Sequence, residues 1–115
     1  MAKKKVTKSE TCGYILNRDV FVQIPPELPT FYLPPSEEIS RLKVGDTVKM
    51  IFVDKNGEYA ERMWVEITRQ LDSKPIEWVG RLDNQPFRLD AQFNDIVRFA
   101  PTAIINIFEK ENKED

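Results

Sequence analysis

The sequence predicts a mainly β fold: a small SH3-like, partly open barrel with a proline-rich strap and at most one short helical turn. Three observations predict it. Apolar and polar residues alternate in five or six short runs, turn-forming residues recur every eight to twelve positions, and helical periodicity is almost absent. A bend expected at Gly80 favours a barrel over a flat sandwich. An OB-like barrel or an α+β arrangement is the alternative, although OB-like barrels usually include a helix that no segment here supplies.

The elements follow in order. Residues 1–10 form a basic tail with Lys3, Lys4, Lys5 and Lys8, and residues 109–115 form a charged tail with no apolar member, which leaves 11–108 as one barrel domain. Tyr14-Ile15-Leu16 and Val20-Phe21-Val22 flank the polar turn Asn17-Arg18-Asp19 and predict a hairpin. Five prolines between Pro25 and Pro35 exclude helix and central strand. That segment reads as a stiff crossing strap whose Leu28, Phe31, Tyr32 and Leu33 pack on the body. Ser36 is placed to cap a turn of helix through Glu37, Glu38, Ile39 and Leu42.

Val44-Gly45-Asp46-Thr47-Val48 reads as a tight turn delivering the chain into a strand that Lys49-Met50-Ile51-Phe52-Val53 continues, apolar on nearly every residue, so that much of it should be covered on both faces. Asp54-Lys55-Asn56-Gly57 turns it back into the strand Glu58–Arg69, because Asn-Gly accepts positive φ at little cost. After the turn Asp72-Ser73-Lys74-Pro75, a third strand runs from Ile76 to Leu82, with a bulge or sharp bend at Gly80. Pro86 cannot donate to a ladder, so Pro86–Leu89 belongs at an edge or corner. Val44-Gly45-Asp46-Thr47-Val48-Lys49-Met50 is echoed by Phe93-Asn94-Asp95-Ile96-Val97-Arg98-Phe99, and both read as turns entering strands. Residues 103–108 fit a closing strand better than a helical turn, given their β-branched content.

Composition narrows the function. The chain has no histidine and one cysteine, Cys12. This removes the commonest general base, thiolate zinc sites, Ser-His-Asp and Cys-His chemistry, and any internal disulfide. No carboxylate cluster has metal-ligand spacing, and no cofactor or metal is expected. Alternating acids such as Glu58, Glu61, Glu66 and Glu77 read as wet strand faces, so the expected protein is not an enzyme. A carboxylate-based enzyme is the remote alternative. A net charge of −2 supplies no field to draw in nucleic acid or an anionic membrane. No apolar run approaches the length of a membrane span, and no apolar segment follows the N-terminal lysines, so a cytoplasmic domain is expected.

The sharpest local feature is Glu61-Arg62-Met63-Trp64-Val65-Glu66-Ile67. Read at period two, Met63, Val65 and Ile67 share one face with Glu61 at its entry, while Trp64 falls on the other face between Arg62 and Glu66. A buried Trp removes about 150–250 Å² from water, on the order of 4–6 kcal/mol as an upper figure. Either the strap covers Trp64, or its ring anchors a partner site. The candidate surface is Arg62, Trp64, Glu66, Trp78, Asp83, Asn84 and Pro86, for a protein or peptide partner. Single-stranded nucleic acid is the alternative ligand, since Arg62, Arg69, Arg81 and Arg88 interleave with Trp64, Trp78 and Phe87, but Glu61, Glu66, Glu77 and Asp83 lie among them and repel phosphate. The chain is expected to be a monomer or an edge-paired homodimer.

The order Phe31-x-Leu33-Pro34, Leu42-x-Val44-Gly45-Asp46-x-Val48-Lys49, Glu61-Arg62-Met63-Trp64-Val65, Gly80-x-Leu82-x-Asn84-x-Pro86 and Asp95-Ile96-Val97-x-Phe99 resembles a bacterial family of uncharacterised small domains, domain of unknown function 2314. The resemblance covers roughly residues 28–107, with Asn94-Asp95 where the family pattern has Gly-Asp. It implies a fold and a bacterial source, and carries no activity.

Overall fold

The computed structural model describes residues 11–25 and 33–109. The middle of the proline strap, with Leu28, Phe31 and Tyr32, lies outside the described residues, as do residues 1–10 and 110–115. Among the described residues seven strands form in chain order: β1 (Thr11–Ile15), β2 (Val20–Gln23), β3 (Thr47–Asp54), β4 (Ala60–Leu71), β5 (Glu77–Leu82), β6 (Ile96–Phe99) and β7 (Asn106–Ile107). One four-residue helix, α1 (Ser36–Ile39), and one 3-10 turn (Pro101–Ala103) are the only helical pieces among the described residues. Neither is long and apolar enough to cross a membrane.

Every pairing is antiparallel, and β1 through β5 each pair with the next strand. The β1–β6 pairing closes the ring into a six-stranded barrel, where the sequence suggested one partly open. β7 adds outside the ring, on the half of β3 that β2 does not reach. The alternation of β4 fills the interior as predicted, with Met63, Val65 and Ile67 at most 2% exposed. Ile51 and Val53 point the other way and are also buried, against Ile105 and Phe21, so β3 is covered on both faces as its composition required.

The turns follow their residues. Asn17 takes φ 65° in the first hairpin, and Gly57 takes φ 68° in the second, where its N–H donates to the Asp54 carbonyl. The irregularity expected at Gly80 lies on the facing strand instead, as a register shift between Ile67 and Arg69 of β4. Gly80 permits it by lacking a Cβ, which would stand 2.5 Å from both the Glu66 carbonyl oxygen and Val65 Cγ1. Ser36 does not cap α1. It is the first helical residue, and the Pro35 carbonyl accepts from Glu38 and Ile39. The segment after β6 is a 3-10 turn first and a strand only at Asn106–Ile107.

The echo between the two halves of the chain is a repeated structure. Gly45 (φ 99°) donates to the Ile67 carbonyl at 2.8 Å, and Ile67 donates back to the Asp46 carbonyl at 2.8 Å. Asn94 (φ 77°) and Asp95 make the same two bonds with Leu82, both at 2.8 Å. Asp46 accepts the Lys43 N–H on Oδ2, and Asp95 accepts the Gln92 N–H on Oδ2. The strands that follow keep step. Thr47 pairs with Glu66 and Lys49 with Trp64, just as Ile96 pairs with Arg81 and Arg98 with Val79. The outer strands keep step too, since Ile107 pairs with Val48 as Ile15 pairs with Val97, and Phe108 donates to Thr47 as Leu16 donates to Ile96. A pseudo-twofold axis therefore passes through the Glu66–Arg81 pair, relating β3, β4 and β7 to β6, β5 and β1. Opposite charges meet on that axis, with Arg81 2.6 Å from Glu66. β2 has no counterpart, and it alone closes the gap between β1 and β3.

Candidate functional site

Trp64 reaches the outer surface because β4 alternates without a break from Met63 to Ile67, which puts both its neighbours in sequence, Met63 and Val65, inside. Its backbone is fixed on the β5 side. The Trp64 carbonyl accepts from the Asp83 N–H at 2.8 Å, and its N–H donates to Oδ1 of Asn84. The Asn84 carboxamide thus extends the β4–β5 ladder one step past the end of β5. On the β3 side the Lys49 ammonium stands 4.7 Å from the centroid of the Trp64 ring. Phe108, just past β7, meets Trp64 edge-on, with centroids 5.5 Å apart and planes at 85°.

These two rings lie in an open groove of about 680 Å³. One wall is the edge made by residues 105–109, and the other is the strap exit and α1, through Pro34, Glu38, Arg41 and Leu42. Among the described residues its charged lining is Glu38, Asp46 and Glu109 against one guanidinium, that of Arg41, with Asn106 as a neutral polar member. Arg41 stands 3.8 Å from Glu37, and the Lys43 ammonium 3.5 Å from Asp46. The β7 edge is closed to strand addition at one point, because Ile107 donates its N–H to Asn106 Oδ1.

The seven residues expected to form one surface divide among three places. Arg62, Trp64 and Glu66 share the outer face of β4. Asp83 and Asn84 adjoin them, Asp83 through a 3.8 Å contact with Arg81 and Asn84 through the Trp64 N–H. Trp78 does not join them. It lies inside the barrel with Gly80 and Leu82, paired with Phe99, and its indole Nε1 has no hydrogen-bond partner among the described residues. The parity of Glu77-Trp78-Val79-Gly80-Arg81-Leu82 carried that signal, since the polar residues all fall on the other face. Pro86 is buried too, not at an edge. It has no N–H to leave unsatisfied, and the three N–H groups after it find a partner.

That partner is Glu61, whose role no spacing in the sequence announced. Its carboxylate accepts the N–H groups of Phe87 (2.9 Å), Arg88 (2.7 Å) and Leu89 (3.1 Å). Burial pushes the Glu61 carboxyl up, but these three bonds and one from Tyr59 outweigh it and hold its pKa below the ordinary glutamate value. The result is a pinned loop with Pro86 and Leu89 buried and Phe87, between them, 85% exposed. Arg88 stacks over the Tyr59 ring at 4.5 Å. Burial and then the Glu61 carboxylate raise the pKa of the Tyr59 hydroxyl.

A second groove, about 800 Å³, runs along β1 past Tyr14, Arg18, Phe21 and Arg98. Arg98, the counterpart of Lys49, donates from Nε to Glu77 at 2.7 Å, and this bond raises its pKa further. Cys12 lies beside that groove as a buried thiol whose pKa burial pushes up, against a smaller opposing effect of Thr102. No group of three His, Cys, Asp or Glu among the described residues is placed to hold a metal ion. No family model, curated protein or solved structure matches the chain.

Proposed function

We propose that this protein is a non-catalytic binding module that takes an extended segment of a protein or peptide partner in the Trp64 groove. One observation carries the reading. The pseudo-dyad puts Val79 where the other half has Trp64, both half-buried on the outer face and both opposite a cation, Arg98 or Lys49. The same backbone is satisfied by a valine, so packing alone does not call for a tryptophan. The difference between the two side chains is roughly 100 Å² of apolar surface, worth about 2–3 kcal/mol when a partner covers it. The groove's volume falls within the roughly 300–1,000 Å³ of ligand sites.

Other features favour this reading over its rivals. Trp78 in the core and carboxylates in the groove wall disfavour a strand of nucleic acid, which needs bare rings in a positive channel. The acids open to catalytic use have structural partners: Glu61 holds a loop, Glu66 pairs with Arg81, Glu77 with Arg98 and Asp95 with Arg18. The Asn106 side chain on the Ile107 N–H favours a monomer over an edge-paired dimer. The SH3-like comparison, the resemblance to domain of unknown function 2314 and a bacterial cytoplasmic setting belong to the same proposal.

The test is selection from a random peptide library on the native protein, with counter-selection on Trp64→Val. The reading expects peptides that bind the native protein, shift the Trp64 indole N–H signal in NMR spectra and ignore the variant. Binders that all retain Trp64→Val, or no binders at all, would overturn it.

A further inference from the structure

The loop clamped by Glu61 carries side chains that its own fold does not use. Phe87 is 85% exposed, well beyond Phe108 at 53% and Phe93 at 48%. Its backbone is nonetheless fixed, since Pro86 before it and Leu89 after it are buried and three successive N–H groups end on one carboxylate. A ring on an ordered loop meets a partner without losing backbone freedom on binding. Arg88 follows, stacked on the Tyr59 ring at 4.5 Å, and meets no carboxylate among the described residues.

Beside this knob lies a hollow of about 320 Å³. Val20, Tyr59 and Leu89 give it apolar surface, and Asp19, Asp54 and Asp90 line it with carboxylates against the cations of Lys55 and Arg88. The Asp90 side chain is 90% exposed, and its contact with Arg18 is 3.4 Å long. Knob and hollow adjoin on one patch, because Arg88, next to the knob, is itself part of the hollow's lining. A protruding ring, a receiving hollow, a guanidinium open to pairing and an exposed carboxylate make a patch that is complementary to itself under a twofold rotation.

We infer that this patch docks on the same patch of a second copy of the chain. Phe87 of each copy enters the hollow of the other, onto Val20, Tyr59 and Leu89, and Arg88 of each copy meets Asp90 of the other. A partner surface of one charge sign would be repelled by either Arg88 or Asp90, whereas a second copy offers each its opposite. The contact uses no strand edge, so the Asn106 side chain does not oppose it, and it shares no residue with the Trp64 groove, which stays open in both copies. One ring and one hollow per copy bury less than the roughly 1,200 Å² of a standard interface, which makes the dimer weak and concentration-dependent.

The experiment measures sedimentation equilibrium and amide NMR spectra of the full chain from about 10 μM to about 1 mM. The inference expects a monomer–dimer equilibrium whose amide shifts gather at residues 87–90 and leave both indole N–H signals unmoved. Phe87→Ser, at an exposed position, should weaken the dimer about a hundredfold, because two rings are lost per dimer. Arg88→Asp and Asp90→Arg each bring like charges together across the twofold and should weaken it about tenfold. An equimolar mixture of these two variants should associate as the native chain does, since every contact then pairs opposite charges again, and that recovery requires both variants to be folded. A native chain that stays monomeric to about 1 mM, or a mixture no more associated than either variant alone, would overturn the inference. So would a dimer that Phe87→Ser leaves intact, because its contact would lie elsewhere.

Discussion

Replacing Glu61 with glutamine tests whether one carboxylate holds the 86–90 loop. The native side chain accepts three consecutive backbone N–H groups at 2.7–3.1 Å, with Oε2 taking those of Arg88 and Leu89 and Oε1 that of Phe87. Glutamine keeps one acceptor oxygen, removes the charge, and turns an NH2 group toward at least one of the donors. A net hydrogen bond to a charged group contributes about 1.5–3 kcal/mol. Water competes for a half-buried carboxylate, so the sum over three must be discounted, to about 2 kcal/mol in all. The pH dependence has a definite sign. Glu61 has a lowered pKa when folded, so its contribution is complete above the unfolded glutamate pKa and is lost as pH falls through the lower folded value. The assay is urea unfolding of both proteins between pH 7 and pH 3. The native protein should exceed Glu61→Gln by about 2 kcal/mol at pH 7, with the gap constant to about pH 5 and closing below it. A gap that is absent at pH 7, or constant down to pH 3, would refute the reasoning.

Substitutions at two glycines test the backbone. Gly80→Ala puts a methyl group against the Glu66 carbonyl and Val65 Cγ1, and should cost about 2–3 kcal/mol in urea unfolding, since β4 must move away. Gly45→Asn copies the residue that the second Asp turn uses at φ 77° and should cost under about 1 kcal/mol, whereas Gly45→Val, β-branched at φ 99°, should cost about 2 kcal/mol or more. Equal costs for asparagine and valine would mean that the two turns are not equivalent.

How far the sequence could be read depended on the range of the interactions. The inner face of β4, the Asn17 and Gly57 turns and the double coverage of β3 follow from period, turn chemistry and composition, all local properties. The inward direction of Trp78 was equally local, since it shares parity with Gly80 and Leu82. The bend expected at Gly80 masked it, and the structure puts that irregularity across the ladder, on β4. The Glu61 loop clamp joins residues 26 to 28 positions apart through backbone donors, which leave no mark on side-chain pattern. The Asp-turn echo was visible as letters, but its meaning was not. Only the pairing of Thr47 with Glu66 and of Ile96 with Arg81 makes it a dyad. Trp64 stood out correctly as a ring on a polar face, and the groove beside it is assembled from the strap exit, α1 and residues 105–109, none of them near it in sequence.

The claim that Trp64 is surplus to the fold is tested most directly by the stability of Trp64→Val, which installs the residue its pseudo-symmetric partner already uses. The variant forfeits a cation–π contact with Lys49 and an edge contact with Phe108, together about 1–1.5 kcal/mol at a half-exposed site. Trp78→Val, which hollows the barrel interior, should cost about 3–5 kcal/mol in the same urea titration. A Trp64→Val protein that stays folded and loses no more than about 1.5 kcal/mol is the predicted result. A loss equal to that of Trp78→Val would make Trp64 part of the core and contradict the account.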